Sequence, residues 1–332
     1  MSQPGQQTRG QVMRAAVGAG VLLVLATVPV LTSSIYLMHV LIVSFMFVVL
    51  AVSWNIIGGM AGYVSFGHVT FFALGAYLTA ILYRDLGASP FLTAPLGGIL
   101  AAVVAFFLGW FTLRLREDYF AIATLGLAFI FEVLAWNLPV TGGGSGIMLT
   151  APNFGIHLTK AVFYLCMWAI MVATVFTSWA IGRSRFGYGL ASIREDEAAA
   201  EVVGVRTVRL KRVAFVLSAF FPGVAGGIFS YYIAYIEPGT VFDHSISINV
   251  VIMSILGGIG TTLGPVLGAV ILSLVSEVMN VVVVSEAKLV VYGVILVSAV
   301  LFLPQGILGR LRGAPGPAAV AAPAGPSQVQ EG

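Results

Sequence analysis

Charge is what this sequence has least of. Only 9% of its 332 residues are Asp, Glu, Lys or Arg, where a soluble domain carries roughly 25%. So few charges do not cover a globular surface of this size. That excludes a water-soluble domain and leaves lipid as the solvent for most of the chain. There is one cysteine, Cys166, set in an apolar segment, which excludes an internal disulfide and a multi-cysteine metal site. It reads as a packed side chain. The four histidines, His39, His68, His157 and His244, are scattered, and no nucleophile–base pair gathers around them, which argues against a membrane enzyme. No G-x-x-x-x-G-K-[ST] run appears, so the chain has no phosphate-cradling loop with which to hydrolyse ATP. The small positive balance of +3 calls for no nucleic acid, because a cytoplasmic excess of Lys and Arg accounts for it.

What the sequence has instead is 59% hydrophobic residues, gathered into runs long enough to span a bilayer. They cover about 17–33, 38–59, 64–83, 91–113, 119–138, 160–182 and 213–236, then a long run at 247–283 interrupted by glycine, and a last run at 288–304. Arg9 and Arg14 precede the first run, but it is long for a signal peptide and no clear cleavage site follows, so it reads as an uncleaved span. The expected fold is an all-α polytopic membrane protein of about nine or ten transmembrane helices, some short or glycine-broken, with one charged cytoplasmic loop. With the N-terminus inside and 247–283 folded as two short spans hinged near Gly260–Gly264, 13 basic residues fall inside and 3 outside. A single span there gives 12 against 4. Both place 183–212 in the cytoplasm, bounded by an N-terminal segment 1–16, a membrane domain 17–304 and a tail 305–332. The tail's Pro/Gly/Ala-rich end reads as mostly disordered.

The loop 183–212 holds eleven charges. At roughly 2.5–3.5 kcal/mol per central Arg, Lys or Asp, burying them in hydrocarbon would cost about 30 kcal/mol, so the loop stays in water. Within it, 194–203 has helical order. Ala198, Ala199, Val202 and Val203 share one face, and Arg194, Glu197 and Glu201 line the opposite one. Glu195, Asp196 and Glu197 suit a first turn, and Gly204 suits a C-terminal stop. Arg206, Arg209, Lys211 and Arg212 mark the return to the membrane. A helix of about ten residues is marginal alone in water, so it rests either on the chain's own inner surface or in a groove on a partner.

Two glycine clusters share a pattern: Gly58-Gly59-Met60-Ala61-Gly62 followed by Gly67, and Gly257-Gly258-Ile259-Gly260 followed by Gly264-Pro265. Both fall where one span ends at the inner side and another begins. Such glycines either pack helices closely or break them into hinges that line a path. Ser65 and His68, beside the first cluster, are polar candidates for that path. The run Thr141-Gly142-Gly143-Gly144-Ser145-Gly146 reads as a flexible outer turn, either a plain connection or a cap on the path. Glu132 and Glu277 are intramembrane acids and so functional candidates. No series of acids and histidines forms a proton relay, which weighs against an ion-coupled secondary transporter without removing that alternative.

The loop resembles the coupling segment of ABC-importer permeases: Glu197, Ala198, Ala199 and Gly204 match its Glu-Ala-Ala…Gly pattern, the glycine falling one place late. WNIIGGMAGYVSFGHVTFFALGAY at 54–77, RLREDYFAIATLGLAFI at 114–130, TGGGSGI at 141–147 and GGIGTTLGPVLGAVI at 257–271 are similar to the M-type permease of branched-chain amino-acid uptake systems, over about 36–310. Gly144-Ser145 departs from that family's usual residues. The resemblance implies a non-catalytic bacterial inner-membrane subunit without a cofactor of its own. It also implies a homologous second permease, two cytoplasmic ATPases that use the ATP, and an external solute-binding protein. Thr141, Gly142, Gly143 and Gly146 would face the outer side, and Arg194–Gly204 the ATPase.

Overall fold

A computed structural model describes residues 20, 23–32, 34–150, 155–282, 293–294 and 306–311. Expectations for 1–16, for most of the 288–304 span and for the end of the tail lie outside them. Residues 23–31, within the first expected span, are helical. The rest of the described chain is helical except for short connections. α1 is Ile35–Ile57, α2 His68–Leu86, α3 Pro90–Thr112, α4 Glu117–Asn137, α5 Ile156–Gly182, α6 Arg185–Glu195, α7 Glu197–Val202, α8 Thr207–Ile233, α9 His244–Gly257, α10 Gly264–Val282 and α11 Gly306–Leu311. Among the described residues, seven stretches are long and apolar enough to cross a membrane: α1 to α5, α8, and Pro238–Gly257, which contains α9. The chain is therefore an all-α multi-pass membrane protein.

α1 is the central post. It is capped by Ser34, whose Oγ accepts from Leu37 N at 3.3 Å, and it is buried on every side along most of its length. α2, α3 and α8 meet through small residues. A methyl group on Gly223 of α8 would lie 2.7 Å from Ala101 Cβ and 2.8 Å from the Gly97 carbonyl of α3. Without a hydrophobic drive between helices in lipid, such close backbone approach is what holds them. Pro95 and Pro222 sit inside α3 and α8, where neighbouring helices compensate the lost hydrogen bonds. α4 lies at the margin and buries one narrow stripe, Phe120, Thr124, Ala128 and Ala135.

α9 and α10 form an antiparallel hairpin around residues 258–263. Its two arms touch where Gly257 meets Gly264 and where Gly268 meets Met253 and Gly257. The 247–283 run is thus two helices broken at the second glycine cluster. Ser273 of α10 donates to Ser44 of α1 at 2.9 Å and Ser254 of α9 donates to the Ala51 carbonyl at 3.2 Å, pinning the hairpin to the post. α11 returns to the hairpin, Gly306 lying against Gly257 and Gly258. The start of the tail is helical over Gly306–Leu311, and its Pro/Gly/Ala-rich end lies outside the described residues.

One expectation is corrected. The single helix over 194–203 is two helices, because Asp196 is extended (φ −161°, ψ 109°) and its carboxylate caps α7 by accepting from Ala199 N at 3.0 Å. Asp196 is an N-cap, the position its short acceptor side chain favours, and Arg194 and Glu195 end the preceding helix. The run Thr141–Gly146 is a turn between spans, as expected, built of two short 3-10 turns with Gly142, Gly143 and Gly146 at positive φ. Thr141 donates to the Ala135 and Leu138 carbonyls at 2.7 Å each. The following strand Ile147–Met148 pairs antiparallel with Tyr235–Ile236.

Candidate functional site

The two glycine clusters, far apart in sequence, meet in space beneath α6 and α7. α1 ends at Ile57, and 58–67 runs irregularly yet almost fully buried. Buried backbone without a helix must find other partners. Trp54 Nε1 donates to the Ser65 carbonyl at 2.8 Å. Asn55, with 0% exposure, reaches from the last turn of α1 to the other cluster. Its Nδ2 donates to the Thr261 carbonyl at 2.9 Å and its Oδ1 accepts from Gly260 N at 2.8 Å. One amide side chain thereby satisfies a donor and an acceptor of the opposite break.

The contact is possible only without side chains on the facing residues. A Cβ on Gly59 would stand 2.7 Å from Gly260 N and inside the Asn55 amide. A Cβ on Gly260 would stand 2.9 Å from the Gly59 carbonyl and would strike the Arg194 guanidinium. Gly260 also has φ 76°, and Gly258 has φ 125°, backbone states that other residues rarely adopt. Within the second break, Thr261 Oγ1 donates to the Gly258 carbonyl at 2.7 Å and accepts from Gly264 N at 3.0 Å.

α6 and α7 are fastened to this junction twice. Arg194 Nη1 donates to the Gly59 carbonyl at 3.0 Å, and its aliphatic stem lies over Gly62, which has φ 86°. Glu197, first residue of α7, accepts from Lys211 Nζ at 2.5 Å and from Tyr63 OH. Lys211 Nζ also donates to Tyr63 OH at 2.8 Å, and its charge lies 4.3 Å from the Tyr63 ring centre. Lys211 is 2% exposed, against the expectation of a basic residue at headgroup level. It is paired with Glu197, as a buried charge requires. Burial alone would raise the Glu197 carboxyl; hydrogen bonds from Lys211 and Tyr63 and the lysine charge outweigh it and hold the group below its ordinary value. Burial, with Glu197 beside it, pushes the Tyr63 hydroxyl up. Leu190, Ile193 and Ala200 complete the seam by packing in one apolar cluster with Ile56, Ile57, Met60, Ala61 and Tyr63.

The opposite side of α7 is free. Ala198 and Ala199 are exposed, and Val202 and Val203 are 88% and 78% exposed. Of the charged residues expected on the other face, Arg194 and Glu197 turn inward. Glu201 Oε1 accepts from Thr207 at 2.7 Å, and Glu195 is exposed. Gly204 has φ 88°, a left-handed stop after α7. A six-residue helix has no stability of its own, so the Glu197 and Arg194 fastenings hold its outer face in place.

The remaining candidates divide. Gly58, Gly59, Gly62, Gly257, Gly258 and Gly260 gather at the junction. Ser65 Oγ accepts from Gly67 N at 3.3 Å, and Gly67 packs against Thr124. His68 is buried between Phe71 and Phe215 with neither ring nitrogen hydrogen-bonded. Thr141–Gly146 stands at the far end of α4, about 30 Å away for 21 residues at 1.5 Å each. Sequence reasoning missed Asn55, Tyr63 and Thr261 and misplaced Lys211. A lone amide in a spanning run was the signal for Asn55; for the others the partners are too distant in sequence to be seen.

Residues 36–300 match the family model for the permease component of branched-chain amino acid transport systems. The chain is 30% identical to the high-affinity branched-chain amino acid transport system permease protein LivM of Salmonella typhimurium, over 80% of this chain and 68% of that one. It is 29% identical, with the same coverage, to LivM of Escherichia coli. The permease protein LivH of Salmonella typhimurium is 25% identical, over 80% of this chain and 91% of its own. No solved structure matches.

Proposed function

This chain belongs to the branched-chain amino acid transport permease family, and we propose that it carries branched-chain or related amino acids across the membrane under the drive of separate cytoplasmic ATPases. It is a membrane permease subunit of an ABC transport system. Its similarity to both LivM and LivH supports pairing with a homologous second permease, and the ion-coupled alternative is not favoured. In this reading the N-terminus and 183–212 are cytoplasmic, an external binding protein delivers solute near Thr141–Gly146, and ATP is held by the partners alone.

The observation that carries the reading is the two-sidedness of α7. Its outer face offers small apolar side chains to a partner, while Glu197 on its inner face is bonded to Tyr63 of the first break and Arg194, at the end of the adjoining α6, lies against Gly59 and Gly260 of both. An ATPase that grips Ala198, Ala199, Val202 and Val203 pulls on Glu197. Through Tyr63, Arg194 and Asn55 the same pull reaches the ends of α1, α2, α9 and α10. Glycine at those ends lets the backbone turn without side-chain collision. The test is uptake by vesicles holding the whole system. Ala199→Trp overfills the docking surface from outside the membrane, so the permease remains folded while uptake falls at least tenfold and ATP hydrolysis is uncoupled from it. Wild-type uptake by this variant would remove the docking role of α7.

A further inference from the structure

We propose that the N-terminal turns of α8 form a binding site for an anionic phospholipid, independent of the solute path. An open cleft of about 390 Å³ lies there, lined by Glu201, Val205, Arg206, Thr207, Val208, Arg209 and Arg212. Three guanidinium groups face one carboxylate, and Glu201 already accepts a hydrogen bond from Thr207. Arg206, Arg209 and Arg212 have no ion pair among the described residues. Three arginines without an ion pair, Arg206 at the N-cap of α8 and Arg209 and Arg212 in its first turns, repel one another and are stabilised by an anion that accepts from more than one of them. Guanidinium groups bind phosphate oxygens through paired hydrogen bonds.

The surroundings select a lipid over a free anion or a protein. Arg212 lies with its guanidinium carbon 4.4 Å from the Trp110 ring centre and 5.5 Å from that of Phe106. Those rings belong to α3, whose flank continues outward as Phe107, 61% exposed, and Phe111, 72% exposed. The basic cleft therefore adjoins, at Arg212, the exposed aromatic flank of α3, a helix long and apolar enough to cross a membrane. A phosphate seated on Arg206 and Arg209 places its glycerol over Arg212 and Trp110 and its acyl chains along Phe107 and Phe111. The amphipathic rings of Trp suit the interface, and basic pockets at the membrane boundary take anionic headgroups.

The test uses the full chain extracted in mild detergent from vesicles of equal phosphatidylglycerol and phosphatidylcholine, with retained lipid read by native mass spectrometry. The wild type retains phosphatidylglycerol in preference. Arg206→Gln with Arg209→Gln lowers that preference roughly thirtyfold, from about one tenfold step per 1.4 kcal/mol and ~1 kcal/mol per surface arginine. Arg206→Lys with Arg209→Lys keeps the charge but not the paired hydrogen bonds, and its preference falls between those of the wild type and the glutamine pair. Arg114→Gln with Arg116→Gln, an equal loss of charge outside the cleft, leaves it unchanged. Equal loss in both glutamine pairs would make it general surface charge and overturn the site. Displacement of the lipid by inorganic phosphate would make the site one for free anions. Unchanged lipid retention with loss of ATPase co-purification would make it a protein contact. Either result overturns the proposal.

Discussion

Replacing Glu197 by Gln and replacing Lys211 by Met both break one ion pair, yet they should differ greatly in cost. Lys211 is 2% exposed, whereas the Glu197 side chain retains 29% of its exposure. Glu197→Gln leaves the Lys211 ammonium buried with only neutral acceptors, the glutamine amide oxygen and Tyr63 OH, and a buried charge without its counter-charge costs about 3–5 kcal/mol. Lys211→Met leaves a carboxylate that turns toward water, a loss nearer the ~1 kcal/mol of an exposed pair. The quantity at stake is the local opening of α6 and α7 from the junction, which hydrogen exchange reads directly. At about tenfold per 1.4 kcal/mol, amides of 185–202 should exchange roughly a hundredfold to a few thousandfold faster in Glu197→Gln and roughly fivefold faster in Lys211→Met. The double variant should resemble Lys211→Met, because no buried charge is left over. The same pair sets a pH dependence. The folded Glu197 carboxyl is held below its ordinary 4.5, so its contribution is present above that value and is lost as pH falls through the depressed one. A spin label at Ala198→Cys should stay ordered at neutral pH and loosen only in that acid range. Equal, small effects of the two single variants would refute the view that Lys211 is a buried charge kept by Glu197.

Three further outcomes follow from the same geometry. Gly59→Ala should separate the breaks, costing about 1–3 kcal/mol for an overpacked contact and most of the uptake. Gly126→Ala, with open space around it, should be neutral or gain up to about 1 kcal/mol; thermal stability and uptake measured together check both. Asn55→Leu should cut uptake at unchanged membrane abundance, since it removes both side-chain hydrogen bonds between the breaks. With Cys166 replaced, an impermeant thiol reagent outside intact cells should label Ser145→Cys and not Glu195→Cys; the reverse pattern would invert the topology.

Most of the helical frame was legible because hydrocarbon imposes a simple rule, an unbroken apolar run of sufficient length. The run at 38–59 became Ile35–Ile57 and that at 91–113 became Pro90–Thr112. Helix ends were less legible. Asp196 read as one acid among three in a first turn, and only its extended backbone makes it a cap. The apolar run at 213–236 marks where the chain is greasy, not where the helix starts: α8 begins at Thr207, and its first turns carry Arg209, Lys211 and Arg212, of which Lys211 is paired with Glu197. The shared glycine pattern pointed to two breaks of similar kind. It held no information that they touch, because the contact is made by Asn55 and the absence of two Cβ atoms, across 205 residues of sequence.

If α7 is the handle by which an ATPase moves the two breaks, the partner must touch its outer face. A photo-crosslinking residue in place of Ala199, in cells making the whole transport system, tests it most directly. The expected result is an adduct with the ATPase subunit whose yield changes with bound nucleotide, and no such adduct from the same residue in place of Ala200, which is buried against the chain itself. Adducts only with this chain or with lipid from position 199, in a system that transports normally, would contradict it.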